Sequence, residues 1–333
     1  MSDTSRPVLC WRADTEAARL SSVYPYRYSR ESRQIVSVHH DQNIIFTSLE
    51  TKRITRQIIG FNDEIIDSVY LSPLATDRTD SHIALATNSS LIRVYDVATM
   101  DARLISGHSD IVLCLDVSAD GRWLVSGSKD NTVRVWAKDA TSGWRCIAIA
   151  EGHAESIGAV AMARKTSLHQ GKFMFSASQD KTVKMWDLSV LSTDPAEYPR
   201  EPIKLKSLTT MKIHEKDING LDVSPNDGYL VSGSQDKSIK VFSIDFTESK
   251  RKSGSAATSN GGGFSGASGA IRLIGTCQGH RRGVWAVKFS PTDKVIASCG
   301  GDKVARIWSL DDFTCVKASR FAAFCGSSLR ASS

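Results

Sequence analysis

Short apolar or alternating stretches recur along most of the chain, and clusters of turn-forming residues separate them. The stretch Val112-Leu-Cys-Leu-Asp-Val precedes the turn Asp120-Gly-Arg, for example, and Asn226-Asp-Gly occupies the matching place further along. A period of two, with Asp, Asn, Gly and Ser between the runs, is typical of β-strands joined by tight turns. The pattern therefore predicts an all-β fold built from many short strands.

The strands belong to a series that is repeated four times. Each copy carries a histidine, an apolar strand, a second strand with a serine, a turn with an aspartate, and a third strand that ends in an aromatic residue. The histidine and the aspartate are 22 residues apart in three copies and 27 apart in the copy of His153, where Lys165 to Gly171 is interpreted as a loop insertion. The aspartate and the aromatic are six residues apart in all four, which indicates a fixed structural unit.

Two weaker units precede these four, with Phe61 in the place of the histidine and Ser89 in the place of the aspartate. Repeat-like sequence covers residues 34–317, between an N-terminal extension at 1–33 and a non-repeat tail at 318–333. Two insertions, at 191–202 and 246–270, are predicted to be flexible, and the second is rich in Gly, Ser and Ala. The six units lie near residues 34–58, 59–97, 106–137, 151–187, 212–245 and 278–309.

This organisation resembles the WD-repeat family, whose units form the four-stranded blades of a β-propeller. The resemblance implies an all-β WD-repeat propeller with about six recognisable blades, two of them degenerate. Whether six units close a ring stays open at this stage.

A serine, a histidine and an aspartate in every copy raise the question of hydrolytic chemistry, as in Ser298, His280 and Asp302. An enzyme has little use for four related copies of one site, whereas buried polar groups must be hydrogen-bonded in every blade. We therefore expect no catalytic residues and a structural network, which the family resemblance describes as a tetrad completed by the aromatic residue. The tetrad residues are His108, Ser126, Asp130 and Trp136; His153, Ser176, Asp180 and Trp186; His214, Ser232, Asp236 and Phe242; and His280, Ser298, Asp302 and Trp308.

The net charge does not alter the predicted fold, but the positions of some cations suggest a contact surface. The formal net charge is +6, with hydrophobic and charged fractions of 41% and 23% that are ordinary for a globular protein. Lys129, Lys216, Arg281 and Arg282 fall in loops that meet on one face of a propeller, where they could contact RNA phosphates or an acidic partner. Solvated charge is the alternative interpretation. No aromatic residues are interleaved with these charges, and we expect Trp285, in an alternating strand, to serve packing.

Other chemistry finds little support. The seven cysteines form no Cys-x-x-Cys pair, so neither a zinc site nor a disulfide framework is expected, and a reducing compartment fits best. The glycine-rich stretch that starts at Gly261 lacks the Lys-Ser/Thr ending of a phosphate loop. Ser249-Lys-Arg-Lys is interpreted either as a nuclear address or as solvated charge. We expect no cofactor, no metal, no small-molecule substrate and no membrane association.

Several blocks are more specific than a generic propeller requires. Among them are Gly60-Phe-Asn-Asp-Glu-Ile-Ile-Asp, His214-Glu-Lys-Asp-Ile-Asn-Gly and Gly279-His-Arg-Arg-Gly-Val-Trp. They are similar to WD-repeat subunits of the small-subunit processome, the nucleolar assembly that matures pre-ribosomal RNA. The resemblance implies a non-enzymatic scaffold of the nucleus and nucleolus, whose partners are other processome proteins and pre-rRNA or small nucleolar RNA.

The resemblance also implies that the chain holds part of the second of two propellers, and a truncated or spliced coding sequence would explain the tail. The alternative is a WD-repeat adaptor of another complex, such as a ubiquitin-ligase substrate receptor.

Overall fold

The computed structural model describes residues 18–19, 34–39, 44–48, 51–58, 64–71, 82–96, 99, 101–139, 143–165, 172–192, 194–247 and 267–320. Within these ranges the chain forms six antiparallel sheets with strands that follow one another in sequence. Several predicted features lie outside the described residues: Phe61, Ser249-Lys-Arg-Lys, the stretch from Gly261, and the chain beyond residue 320.

The first two sheets contain the degenerate units, together with β1 from the N-terminal extension and β8 from the chain after the second unit. Sheet A contains β1 (Ala18–Arg19), β2 (Gln34–His39), β3 (Ile44–Ser48) and β4 (Ile54–Ile58). Sheet B contains β5 (Ile65–Leu71), β6 (His82–Thr87), β7 (Ile92–Asp96) and β8 (Ala102–Ile105).

The other four sheets each carry one histidine unit. Sheet C contains β9 (Val112–Val117), β10 (Trp123–Ser128), β11 (Val133–Asp139) and β12 (Gly143–Ala150). Sheet D contains β13 (Ile157–Met162), β14 (Phe173–Ser178), β15 (Thr182–Asp187) and β17 (Ser207–Lys212). Sheet E contains β18 (Ile218–Val223), β19 (Tyr229–Ser234), β20 (Ser238–Thr247) and β21 (Ser268–Gln278), and sheet F contains β22 (Val284–Phe289), β23 (Val295–Gly300), β24 (Val304–Ser309) and β25 (Cys315–Arg320).

The sheets are the blades of a β-propeller, which confirms the fold class expected from the sequence. The first strands of sheets B to F contact one another in succession, so these are the inner strands. The last strand of each sheet lies outside, and all six residues of β25 are exposed. In sheet F, Ala297 of the second strand β23 is exposed. The second strands of sheets C and D, by contrast, are covered on both faces, and every residue of β10 and β14 is buried. This is why those strands read as continuous small and apolar runs rather than as alternating ones.

The segment that connects β15 to β17, the third and fourth strands of sheet D, follows the outer edge of sheet C. It includes a single 3₁₀ turn, Pro195–Glu197, capped by the Asp194 side chain, after which β16 (Ile203–Lys204) pairs in parallel with β12. Tyr198 is buried in the core of this sheet. The segment therefore adds a fifth strand to one blade. No helix among the described residues is long and apolar enough to cross a membrane.

Candidate functional site

Each histidine unit places four polar or aromatic side chains at one end of its sheet. The histidine lies in the loop that enters the inner strand, and the aspartate lies in the turn between the second and third strands. Because the strands are antiparallel, this loop and this turn come together at the same end. The residue after each aspartate has a positive φ, 66° at Asn131 and 76° at Lys237 for example, which closes the turn tightly.

In sheet C these side chains form a continuous network. His108 Nδ1 lies 2.8 Å from Asp130 Oδ2, and His108 Nε2 lies 2.7 Å from Ser126 Oγ. The Trp136 indole N–H donates to the same Ser126 oxygen at 2.8 Å, and the Thr132 hydroxyl donates to Asp130 at 2.7 Å. Every polar group of the four therefore has a partner.

The second and fourth copies repeat this geometry closely. His153 bonds Asp180 and Ser176 at 2.8 Å each, and the Trp186 indole donates to Ser176 at 2.8 Å. In sheet F, His280 lies 3.0 Å from the nearer Asp302 oxygen and 2.8 Å from Ser298, to which Trp308 donates at 2.8 Å.

The third copy lacks one donor. His214 bonds Asp236 and Ser232 at 2.8 Å each, but Phe242 takes the place of the tryptophan and offers no N–H. Ser232 Oγ lies instead 3.5 Å from the carbonyl oxygen of Lys240, at the limit of a hydrogen bond. Three full tetrads and one triad therefore result.

The network fixes the protonation of its members. A carboxylate only accepts, so Nδ1 of each histidine donates to the aspartate, and Nε2 accepts from the serine hydroxyl. Burial lowers the pKa of His153, His214 and His280 despite the opposing effect of the neighbouring carboxylates, which keeps these imidazoles neutral.

The aspartates are held in the charged form. Burial alone would raise the pKa of Asp236, but hydrogen bonds from Ser238 and His214 outweigh burial and lower it to about 2. Burial alone would also raise the pKa of Asp130. The hydrogen bonds from His108 and Thr132 outweigh burial there too and lower this pKa below its ordinary value. Neutral histidine paired with charged aspartate is thus the resting state of the networks in sheets D, E and F.

The serine, histidine and aspartate of each copy have the contacts of a hydrolytic triad but no access for a substrate. The four serines are exposed by at most 4%, and the histidine side chains by at most 1%. A nucleophile must reach the substrate carbon, and these hydroxyl oxygens are sealed beneath the loops. The chemistry that the arrangement can perform is to satisfy buried polar groups and hold three strands of each sheet together.

A second polar network, which the sequence pattern did not indicate, joins the sheets to one another. Aspartates in the inner strands accept the backbone N–H of the next inner strand at 2.8 Å: Leu115 donates to Asp67, Met162 to Asp116, and Phe289 to Asp222. A carboxylate inside an otherwise apolar strand was the signal available in the sequence.

Sheet D has Ala161 at the matching position, and Arg164 supplies the charge there instead. Its guanidinium lies 3.0 Å from Asp116 of sheet C and 3.0 Å from Asp222 of sheet E, so it spans the sheet between them. Lys288 of sheet F adds a further contact to Asp222 at 3.2 Å. Burial raises the pKa of Asp67 to about 6, whereas Lys288 and Arg164 overcome burial and lower the pKa of Asp222.

The four candidate contact residues are all exposed at the end of the sheets that carries the histidine loops. Lys216 and the pair Arg281 and Arg282 lie in the entry loops of the neighbouring sheets E and F. Lys129 lies in a turn of sheet C, on the far side of sheet D. The structure thus groups three of the four cations and separates Lys129 from them.

The chain matches the family model "WD domain, G-beta repeat" at residues 101–137, 144–187, 205–243 and 271–309. Each matched repeat begins with the outer strand of one sheet and ends with the third strand of the next, as β8 and β9 to β11 do in the first. The repeats therefore link successive blades covalently.

Several curated proteins are similar to this chain. Transducin beta-like protein 3 of Bos taurus is 34% identical over 255 residues, which are 76% of this chain and 28% of that protein. U3 small nucleolar RNA-associated protein 13 of Saccharomyces cerevisiae is 31% identical over 269 residues, which are 78% of this chain and 28% of that protein. Ribosome biogenesis protein WDR12 homolog of Drosophila yakuba is 28% identical over 197 residues, which are 58% of this chain and 40% of that protein. The chain thus spans 28% of the length of the first two relatives.

Proposed function

Because the chain belongs to the WD-repeat family, we propose that it is a non-enzymatic scaffold of the nucleolar small-subunit processome. In this role it binds other processome proteins, together with pre-rRNA or small nucleolar RNA, during pre-rRNA processing. The observation that carries the proposal is the 31% identity to a protein named for its association with U3 small nucleolar RNA.

The geometry supports a scaffold rather than an enzyme. The repeated Ser, His and Asp side chains are buried and bonded to one another, so they are available to no substrate. The exposed groups that remain at the histidine-loop end include Lys216, Arg281 and Arg282, which suit charged macromolecular partners.

Affinity purification of the tagged full chain from nucleolar extract tests this proposal. We expect mass spectrometry to recover processome proteins, and sequencing of the bound RNA to recover U3 small nucleolar RNA or pre-rRNA. The unaltered chain is compared with a control variant that carries Lys204→Ala and Lys294→Ala. These two lysines have side chains that are 79% and 80% accessible. This control should recover the same set.

Recovery of ubiquitin-ligase subunits in place of processome proteins would overturn the proposal in favour of an adaptor. Recovery of neither set would overturn it as well.

A further inference from the structure

Sheet F departs from the repeated pattern at its histidine-loop end. The last residue of the second strand is serine in sheets C to E, and its hydroxyl donates to a carbonyl of the entry loop, as Ser178 does to Glu155 at 2.8 Å. In sheet F this residue is Gly300, followed by Gly301. A Cβ at Gly300 would lie 2.7 Å from the carbonyl oxygen of Gly283, so the entry loop sits closer to this turn than a serine permits.

The space at Gly301 is taken by a tryptophan and an arginine. A Cβ there would lie 3.0 Å from Trp285 Nε1 and 3.4 Å from Arg282 Cβ. The two glycines therefore accommodate residues that the other three sheets lack at this position.

Trp285 does not serve the packing role expected from the sequence. The other five tryptophans in the described ranges belong to, or pack against, hydrophobic cores, whereas Trp285 belongs to none. It is partly exposed and lies at the irregular position between Val284 and Ala286 of the inner strand. Its indole N–H is buried beneath Gly301 and has no hydrogen-bond partner among the described residues. A large aromatic side chain outside every core points to a role in binding.

Exposed cations lie in the entry loop next to this tryptophan and in the neighbouring turn of sheet E. Arg281 and Arg282 are exposed and form no ion pair with any described residue. A Cβ at Gly283 would lie 3.0 Å from Gln235 Cα, so this loop packs against the turn of sheet E that carries the exposed Lys237. Lys216 lies beside the same turn, since its carbonyl accepts from Ser234 at 3.1 Å.

Four acidic side chains share these loops and turns, and two of them, Asp236 and Asp302, are bonded to the histidines of their networks. Glu215 pairs with Lys212 at 3.4 Å, and Asp217 is half-buried. The exposed cations at this end of sheets E and F therefore outnumber the exposed acids.

We propose that the surface formed by Lys216, Lys237, Arg281, Arg282 and Trp285 binds an unpaired segment of RNA. A base stacks on the exposed part of the indole, and the arginines and lysines contact the flanking phosphates. Single-stranded nucleic acid is bound by this combination of an aromatic platform with unpaired cations, whereas an acidic peptide engages the cations alone. This inference rests on the proposed function, which it deepens by naming the partner and its site.

Fluorescence anisotropy with a labelled single-stranded RNA of mixed sequence, titrated with the purified full chain, tests the inference. Trp285→Leu should weaken binding by about 5- to 100-fold, and Trp285→Phe should retain most of the affinity. Replacing Arg281 and Arg282 by alanine should lower the slope of log Kd against log salt by about 0.7 for each phosphate that is no longer neutralised. The double variant of Lys204 and Lys294 should leave both quantities unchanged.

A second readout does not depend on the leucine variant folding. Bound RNA should quench the tryptophan emission of the unaltered chain more strongly than that of Trp285→Phe. Equal quenching in the two proteins, or unchanged affinity in Trp285→Leu, would overturn the inference. So would a polyglutamate peptide that binds as tightly as RNA and is insensitive to residue 285.

The two proposals fail separately. A chain that binds no RNA by itself but recovers processome proteins overturns this site and leaves the scaffold standing. A chain that binds RNA through Trp285 but recovers no processome component overturns the processome scaffold and leaves the RNA site standing.

Discussion

Among single residues, the buried histidines show how a reactive-looking group becomes a structural one. His280 has a partner at each ring nitrogen, so its contribution comes from two hydrogen bonds that water cannot replace. Hydrolytic triads use the same three residue types at similar distances, but their serine is accessible to the substrate. Burial, rather than composition, separates the two roles.

Replacing His280 by alanine should lower the free energy of unfolding by about 1–3 kcal/mol, because the Ser298 hydroxyl loses its acceptor and Asp302 loses one of its donors inside the protein. Urea denaturation monitored by circular dichroism measures this. Lys294→Ala, at an exposed pair with Asp311, serves as the control and should change stability by less than about 0.5 kcal/mol. An unchanged midpoint for the His280 variant would show that the network contributes nothing to stability.

In sheets C and F, the glycine before the histidine lies beside the indole at the end of the third strand. A Cβ at Gly107 would lie 2.7 Å from Trp136 Cη2, and one at Gly279 would lie 3.2 Å from Trp308 Cη2, so a side chain there would crowd the indole. At Gly152 of sheet D the nearest side chain is instead Lys184, at 4.0 Å. In sheet E the smaller Phe242 is accompanied by Ile213, which is buried in the same core. The two pairs fill the same space in different ways.

Phe242→Trp alone should therefore destabilise the protein by about 1–3 kcal/mol through overpacking against Ile213. Combined with Ile213→Gly, the larger ring gains its space and can donate to Ser232, so the double variant should be more stable than the sum of the single changes by at least about 1 kcal/mol. A double-mutant cycle of urea unfolding measures the coupling. Additive effects would mean that the two side chains do not share this space.

Across the whole molecule, charged groups fix the inner strands relative to one another. Asp116 and Asp222 are 1% and 5% exposed, and Arg164 contacts both across the intervening sheet. A buried carboxylate without its cation is costly because its charge stays out of water.

Arg164→Met should lower stability by about 3 kcal/mol, since the two carboxylates keep their backbone bonds but Asp116 no longer has its guanidinium partner. Adding Asp116→Asn removes the uncompensated charge and should recover part of this stability. The control Arg122→Met affects a pair with Asp120 of the same turn, at 3.6 Å, and should cost less than about 1 kcal/mol. Guanidinium unfolding of the four proteins measures these differences, and equal destabilisation by the two arginine variants would contradict a bridging role for Arg164.

The all-β class, the repeat and the residues that meet in each network could be predicted from the sequence, because each depends on spacing within one unit. Histidine, serine, aspartate and aromatic recur at fixed separations, so one explanation serves all four copies. The resemblance to WD-repeat propellers implied that Lys129, Lys216, Arg281 and Arg282 lie in loops of one face.

Contacts between groups of different sheets became visible only in the folded molecule. The 48 residues between Arg164 and Asp116, and the 58 between Arg164 and Asp222, give no local signal of contact. Trp285 fits the alternation of its strand and was therefore expected to pack, but the fold leaves it outside every core. The physical reason is that periodicity reports which face of a strand is covered within its own unit, whereas contacts at the inner edge depend on how neighbouring sheets pack.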